Sequence, residues 1–104
     1  MVNFHEHKLW QDAYVVLMDI HEALGDTDRD LLDAAQKVAS MIADGLSRLD
    51  RRTGRDLVTN AVGLVAVART QLAVAWGRGL MNDETFRKLD EKYQTLSENL
   101  QNYR

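Results

Sequence analysis

Not one proline interrupts this chain of 104 residues, and only six glycines occur in it. Sandwiches and barrels reverse direction every few residues and draw on both residue types for the backbone angles of their turns. A chain without them is held to long helices joined by few loops. The 45% apolar share is enough for one core, and the 28% charged share suits a wetted exterior. The length is that of a single domain.

Apolar spacing agrees. Leu9, Trp10, Ala13, Val16, Leu17, Ile20 and Leu24 recur at helical intervals over about residues 4–24. Gly25 follows as a C-terminal cap, a position that favours a residue without Cβ. Thr27 reads as the N-cap of a second helix over 28–50, with Asp30 three residues on in a capping-box pattern. Its buried stripe is Leu31, Leu32, Ala35, Val38, Ala39, Ile42, Leu46 and Leu49. Ala34, Ala35, Ala39, Ala43 and Gly45 are small enough to let a neighbouring backbone approach. Asp33 with Lys37, and Asp44 with Arg48, stand at i,i+4 on the wet side.

Thr53 and Asp56 repeat the capping pattern and open a third helix over 54–78. Between Leu57 and Gly77 the only charge is Arg69, and the run Ala61 to Ala68 is apolar all the way round. Such a helix either spans a membrane or is enclosed by protein on every side. Arg69, Thr70 and Gln71 interrupt the run before about 18 apolar residues accumulate. The expectation is therefore a central buried helix and no membrane. Asn82 caps a fourth helix over 83–103, with Asp83 and Glu84 at its positive end. Phe86, Leu89, Tyr93, Leu96, Leu100 and Tyr103 form a narrow seam that places this helix on the outside. Short loops make sequential helices antiparallel. The fold class is all-α, an antiparallel up-down-up-down four-helix bundle in one domain, 1–104.

Chemistry is harder to find. There is no cysteine, so disulfides, thiolate metal sites and cysteine nucleophiles are excluded. A di-iron bundle needs Glu-x-x-His pairs, and no Glu here has a His three residues on; His5, His7 and His21 are scattered. Ser40, Ser47 and Ser97 lack a histidine in register, and phosphate-cradling glycine patterns are absent. No catalytic residue, metal site or cofactor is expected, and the chain reads as a non-enzyme. MVNFHEHKLW has no basic segment followed by an apolar run, which makes the cytoplasm the default location.

Two features remain. Arg48, Arg51, Arg52 and Arg55 crowd the second loop, at the end that also holds both termini, Lys8 and Arg104. Asp26, Asp28, Asp30, Asp33, Asp83 and Glu84 gather at the other end. Matching of charge to helix dipoles explains most of these positions. If bundles associated in parallel around an axis, however, the arginines would pool into a ring suited to phosphate, in spite of a net charge of −3. The second feature is apolar surplus on Ala13–Met18 and Ala61–Ala68, more than one four-helix core uses. Tyr14, Val15, Met18, Val62, Leu64 and Val67 are the candidate oligomer interface.

Anchors along nearly the whole chain carry a resemblance. Asn3-Phe4 with Leu9-Trp10-Gln11-x-Ala13, then Ile42-Ala43-Asp44-Gly45, Gly63 with Thr70-Gln71-Leu72, and Gly79 with Asp83-Glu84 and Phe86 are its parts. On these the chain resembles the bacterial four-helix-bundle proteins encoded by intervening sequences inside large-subunit ribosomal RNA genes. That family carries Ile-Ala-Glu-Gly where Ile42–Gly45 stands, preceded by Ser-x-Pro-x-Asn where this chain has Lys37, Ala39 and Met41. Its Ala-Arg-Gly-Ser becomes Ala61-Val62-Gly63-Leu64, with both polar side chains lost. The resemblance implies the bundle fold, no catalytic activity, homo-oligomers with pentamers among them, and association with nucleic acid. Three functions compete: a self-associating scaffold or adaptor, which the apolar surplus favours; a nucleic-acid module acting through Arg48, Arg51, Arg52 and Arg55; and a partner of another protein.

Overall fold

The computed structural model describes residues 3–103. A 3-10 turn, Phe4–Glu6, leads into α1 (Lys8–Leu24), α2 (Arg29–Leu46), α3 (Arg51–Gly77) and α4 (Asp83–Gln101). The helices run up, down, up and down around one core. Each packs on its chain neighbours, and α4 closes on α1, so α1 and α3 lie diagonally opposite. The bundle measures 43 × 21 × 18 Å. The 27 residues of α3 rise through about 40 Å, nearly the full length.

Caps set the ends. His7 accepts the Leu9 amide on Nδ1 at 3.1 Å, which starts α1 later than the sequence spacing suggests. The cap of α2 is Asp28, not Thr27: its Oδ1 accepts the Leu31 amide at 3.0 Å in a buried position. Likewise α3 starts at Asp50 rather than Thr53. Asp50 Oδ1 accepts the Arg52 amide at 3.1 Å and Oδ2 accepts the Thr53 hydroxyl at 2.7 Å. Gly25, at φ 57°, and Asn82 cap where expected.

The core is a stack of aliphatic side chains from all four helices, with Ile20, Leu31, Ile42, Leu72, Leu96 and Leu100 almost wholly enclosed. Each such side chain stabilises the fold by about 1.5–3 kcal/mol. The tightest point lies between α2 and α3. A Cβ on Gly45 would stand 2.7 Å from the Gly54 carbonyl oxygen, and one on Gly54 would stand 2.5 Å from that of Gly45. The two backbones touch there, so only hydrogen fits. Just past this contact α2 ends at Leu46 and the chain reverses over 47–50. Leu49, expected in the buried stripe, is therefore 98% exposed in the loop.

Two polar features join α4 to the bundle. Arg69 donates to Asp90 through Nε at 2.8 Å and Nη2 at 2.9 Å, in a half-buried fork between α3 and α4. The bond to Asp90 also raises the Arg69 pKa. Tyr93 is fully enclosed, and its hydroxyl finds no hydrogen-bond partner among the described residues. Burial pushes its ionisation well above the ordinary range. The fourth helix thus contributes one core stripe like the others, rather than lying outside the bundle.

The third helix departs from its expected place. It is not enclosed on every side. Gly54, Val58, Ala61, Val65, Ala68, Leu72 and Ala75 form one inner stripe, whereas Val67 is 50% and Val74 47% exposed. A bundle of four gives each member only two neighbours, so an all-round apolar helix must leave one side open. By length and composition α3 is also apolar enough to cross a membrane, a test that the core helix of a soluble protein passes too. The interruption at Arg69–Gln71 is a weaker argument against a span than the residue count suggested. Its inner stripe is nonetheless occupied by α2 and α4, whose outer faces carry many charges.

Candidate functional site

The arginine-rich loop forms a groove. Arg48, Arg51, Arg52 and Arg55 line a cavity of about 660 Å³ together with the Gly45–Gly54 crossing, Leu49 and Tyr103. The close glycine contact fixes the floor, and the Asp50 cap fixes the start of α3. Arg52 and Arg55 are thereby presented on one rigid helical turn. Arg48 is partly neutralised, since its Nε donates to Asp44 Oδ1 at 2.8 Å. That hydrogen bond holds the Asp44 carboxyl below its usual range and raises Arg48. The Thr53 hydroxyl and the Arg52 amide do the same to Asp50.

Arg51, Arg52 and Arg55 form no ion pair among the described residues. The groove therefore offers three unengaged guanidinium groups and one aromatic ring. Such groups bind phosphate oxygens bidentately. Tyr103, the ring at its edge, packs on His7 with centroids 5.9 Å apart. Neither aromatic was singled out from sequence as part of this end, although the antiparallel return of α4 to the start of α1 implies their meeting. Lys8, expected nearby, pairs instead with Asp12 and lines a separate groove between α1 and α4. Arg104 lies outside the described residues.

The six candidate interface residues do not form one surface. Tyr14, Val15 and Met18 are exposed on α1, and Val67 is exposed on the diagonal helix α3. Val62 and Leu64 are partly buried against the core. Tyr14 stacks on Trp10 at 5.0 Å beside Phe4 and His5, in a shallow aromatic hollow against α2. Val15 faces the groove between α1 and α4. What sequence reading missed is Val74, one turn-pair beyond Val67 on the same outer line. The sevenfold spacing of the two valines is the signal that would have found it. Trp76 is exposed yet engaged, for its Nε1 donates to Asp83 at 2.8 Å and its ring stacks on Phe86 at 4.5 Å.

At the opposite end most acids have local work. Asp28 caps α2, Asp83 accepts from Trp76, Glu84 pairs with Lys88 at 3.1 Å, and Asp26 stands 3.8 Å from His21. Asp30 and Asp33 form no ion pair among the described residues. His5 and His7 serve the entry turn, each within bonding reach of backbone or Asn3 atoms. Comparison with protein-family models, curated proteins and solved structures returns no match to this chain.

Proposed function

We propose that this chain is a self-associating helical scaffold without chemistry of its own. One observation carries the reading: the outer side of α3 holds no charged residue over five turns. Arg69, the only charge from Leu57 to Gly77, turns aside to Asp90, leaving Val67 and Val74 half in water. A helix face that merely met solvent would carry charge, as the outer face of α4 does with Arg87, Lys88, Glu91 and Glu98. Extended apolar surface of this kind marks contact with protein. Sedimentation or light scattering at micromolar concentration tests it, and a strictly monomeric particle overturns it.

A second reading rests on the arginine groove. Three unengaged arginines beside Tyr103 suit a phosphate-bearing polymer with a base to stack, and the family resemblance points to nucleic acid as well. Fluorescence anisotropy with RNA and DNA at low salt should then show binding that weakens steeply as salt rises. Replacing Arg48, Arg51, Arg52 and Arg55 by alanine should abolish it. Unchanged binding by that variant, or none by the native chain, removes this reading.

A further inference from the structure

Charges stand only at the two ends of the outer side of α3, Asp56 beside Arg52 and Arg55 at its start and Arg78 past its last turn. Asp56 and Arg78 are both exposed, and neither forms an ion pair among the described residues. They are 22 residues apart in sequence, about 33 Å along the axis. Midway between them is Val67. A second copy of this helix, laid antiparallel with Val67 against Val67, brings each Asp56 level with the partner's Arg78. It also brings Asn60 level with the partner's Val74.

A parallel arrangement does the reverse. It sets Asp56 beside Asp56 and Arg78 beside Arg78, and stacks both arginine loops at one end. Like charges so placed cost free energy, while the antiparallel pair matches the basic end of one bundle to the acidic end of the other.

The face has the shape for close approach. A Cβ on Gly63 or Gly77 would meet nothing within 4 Å, so packing inside one bundle gives no reason for glycine there. Thr59, Gly63, Ala66, Thr70, Ala73 and Gly77, all exposed, recur at intervals of four and three. That spacing is symmetric about position 68, within one residue of Val67, so two copies can present it to each other in an isologous two-fold contact.

We infer that two copies of the chain pair through the outer face of α3, antiparallel, about a two-fold axis at Val67. The inference rests on the self-association reading and adds the surface, the partner's orientation and the number of copies. The chain has no cysteine, so introduced cysteines report the geometry cleanly. In the proposed pair Asn60 lies about 21 Å from its own counterpart, beyond the roughly 7 Å that a disulfide spans between Cα atoms.

The native particle should have twice the 11.8 kDa chain mass. Val67→Glu, at an exposed site, should halve that mass with helical circular dichroism unchanged. Under oxidation, Asn60→Cys alone should stay unlinked, as should Val74→Cys alone, while a mixture of the two should cross-link. Asp56→Arg and Arg78→Asp should each weaken pairing severalfold, and the double exchange should restore it. Self-linking of Asn60→Cys, or a larger particle insensitive to Val67→Glu, overturns the antiparallel pair and leaves self-association standing. A monomeric native chain overturns both.

Discussion

The two sides of α3 are built from the same kinds of residue and meet opposite surroundings. On the inner side Gly54 lies so close to Gly45 that a methyl group would collide with backbone oxygen. On the outer side Gly63 and Gly77 have open space around them. Glycine, alanine and valine supply both sides. A small residue facing inward is there because another backbone has arrived. Facing outward, it awaits contact from elsewhere or weakens the helix without return. Composition alone does not separate these cases; the position of the neighbouring helix does.

The largest effect should come from filling the inner contact. Gly45→Ala or Gly54→Ala forces two backbones apart and should lower stability by about 1–3 kcal/mol, read as a drop in urea midpoint. A smaller loss would mean that α2 and α3 separate easily, and the contrast between the two sides would weaken. Next, Asp90→Asn removes the carboxylate that receives Arg69. Since both groups are partly wetted, the expected cost is about 1 kcal/mol, measured against the native chain at neutral pH.

Tyr93 gives an effect of opposite sign. Its enclosed hydroxyl has no partner among the described residues, so Tyr93→Phe should raise stability by about 1 kcal/mol. The same residue makes the protein sensitive to alkali. In the unfolded chain the phenol loses its proton near pH 10, whereas burial keeps it protonated in the folded one. Proton release therefore favours unfolding. This contribution should be constant below about pH 10 and fall as pH rises above it, and Tyr93→Phe should flatten that fall. Equal alkaline slopes for the two proteins would remove Tyr93 as the cause.

The smallest effect sharpens the comparison most. Gly63→Ala meets no obstacle within 4 Å and exchanges glycine for a better helix former, a gain of about 0.5–1 kcal/mol in the isolated subunit. Thermal melts of the dilute Val67→Glu background would show it. A loss there would mean that the outer side is already in contact within one bundle.

Most of the fold was legible because three helices have one apolar stripe each. Their periodicity names the core directly, from Leu9 to Leu24 on α1 and from Leu89 to Leu100 on α4. The third helix has no such asymmetry, so its run Ala61–Ala68 suggested enclosure on every side. Only the diagonal placement of α1 and α3 shows which side stays open. Leu49 misled for a related reason: its spacing continues the stripe of α2, but that helix ends at Leu46, before the stripe reaches it. Asp28 and Asp50 displaced Thr27 and Thr53 as caps because a carboxylate already stood within reach of the first amides. Of the site, the four arginines were readable as a cluster. Tyr103 and His7 were not, since only the return of α4 to the first turn of α1 brings them there.

The meeting of Gly45 and Gly54 also bears on how the molecule opens. It pins the reversal between α2 and α3 at the root, and this helix pair shares the longest contact in the bundle. Amide protons on their facing turns should exchange with solvent most slowly, while α1 and the entry turn release theirs sooner. Because the loop that joins the pair spans only residues 47–50, its closure is nearly local in sequence. The hairpin of α2 and α3 is thus placed to form early in folding and to come apart last.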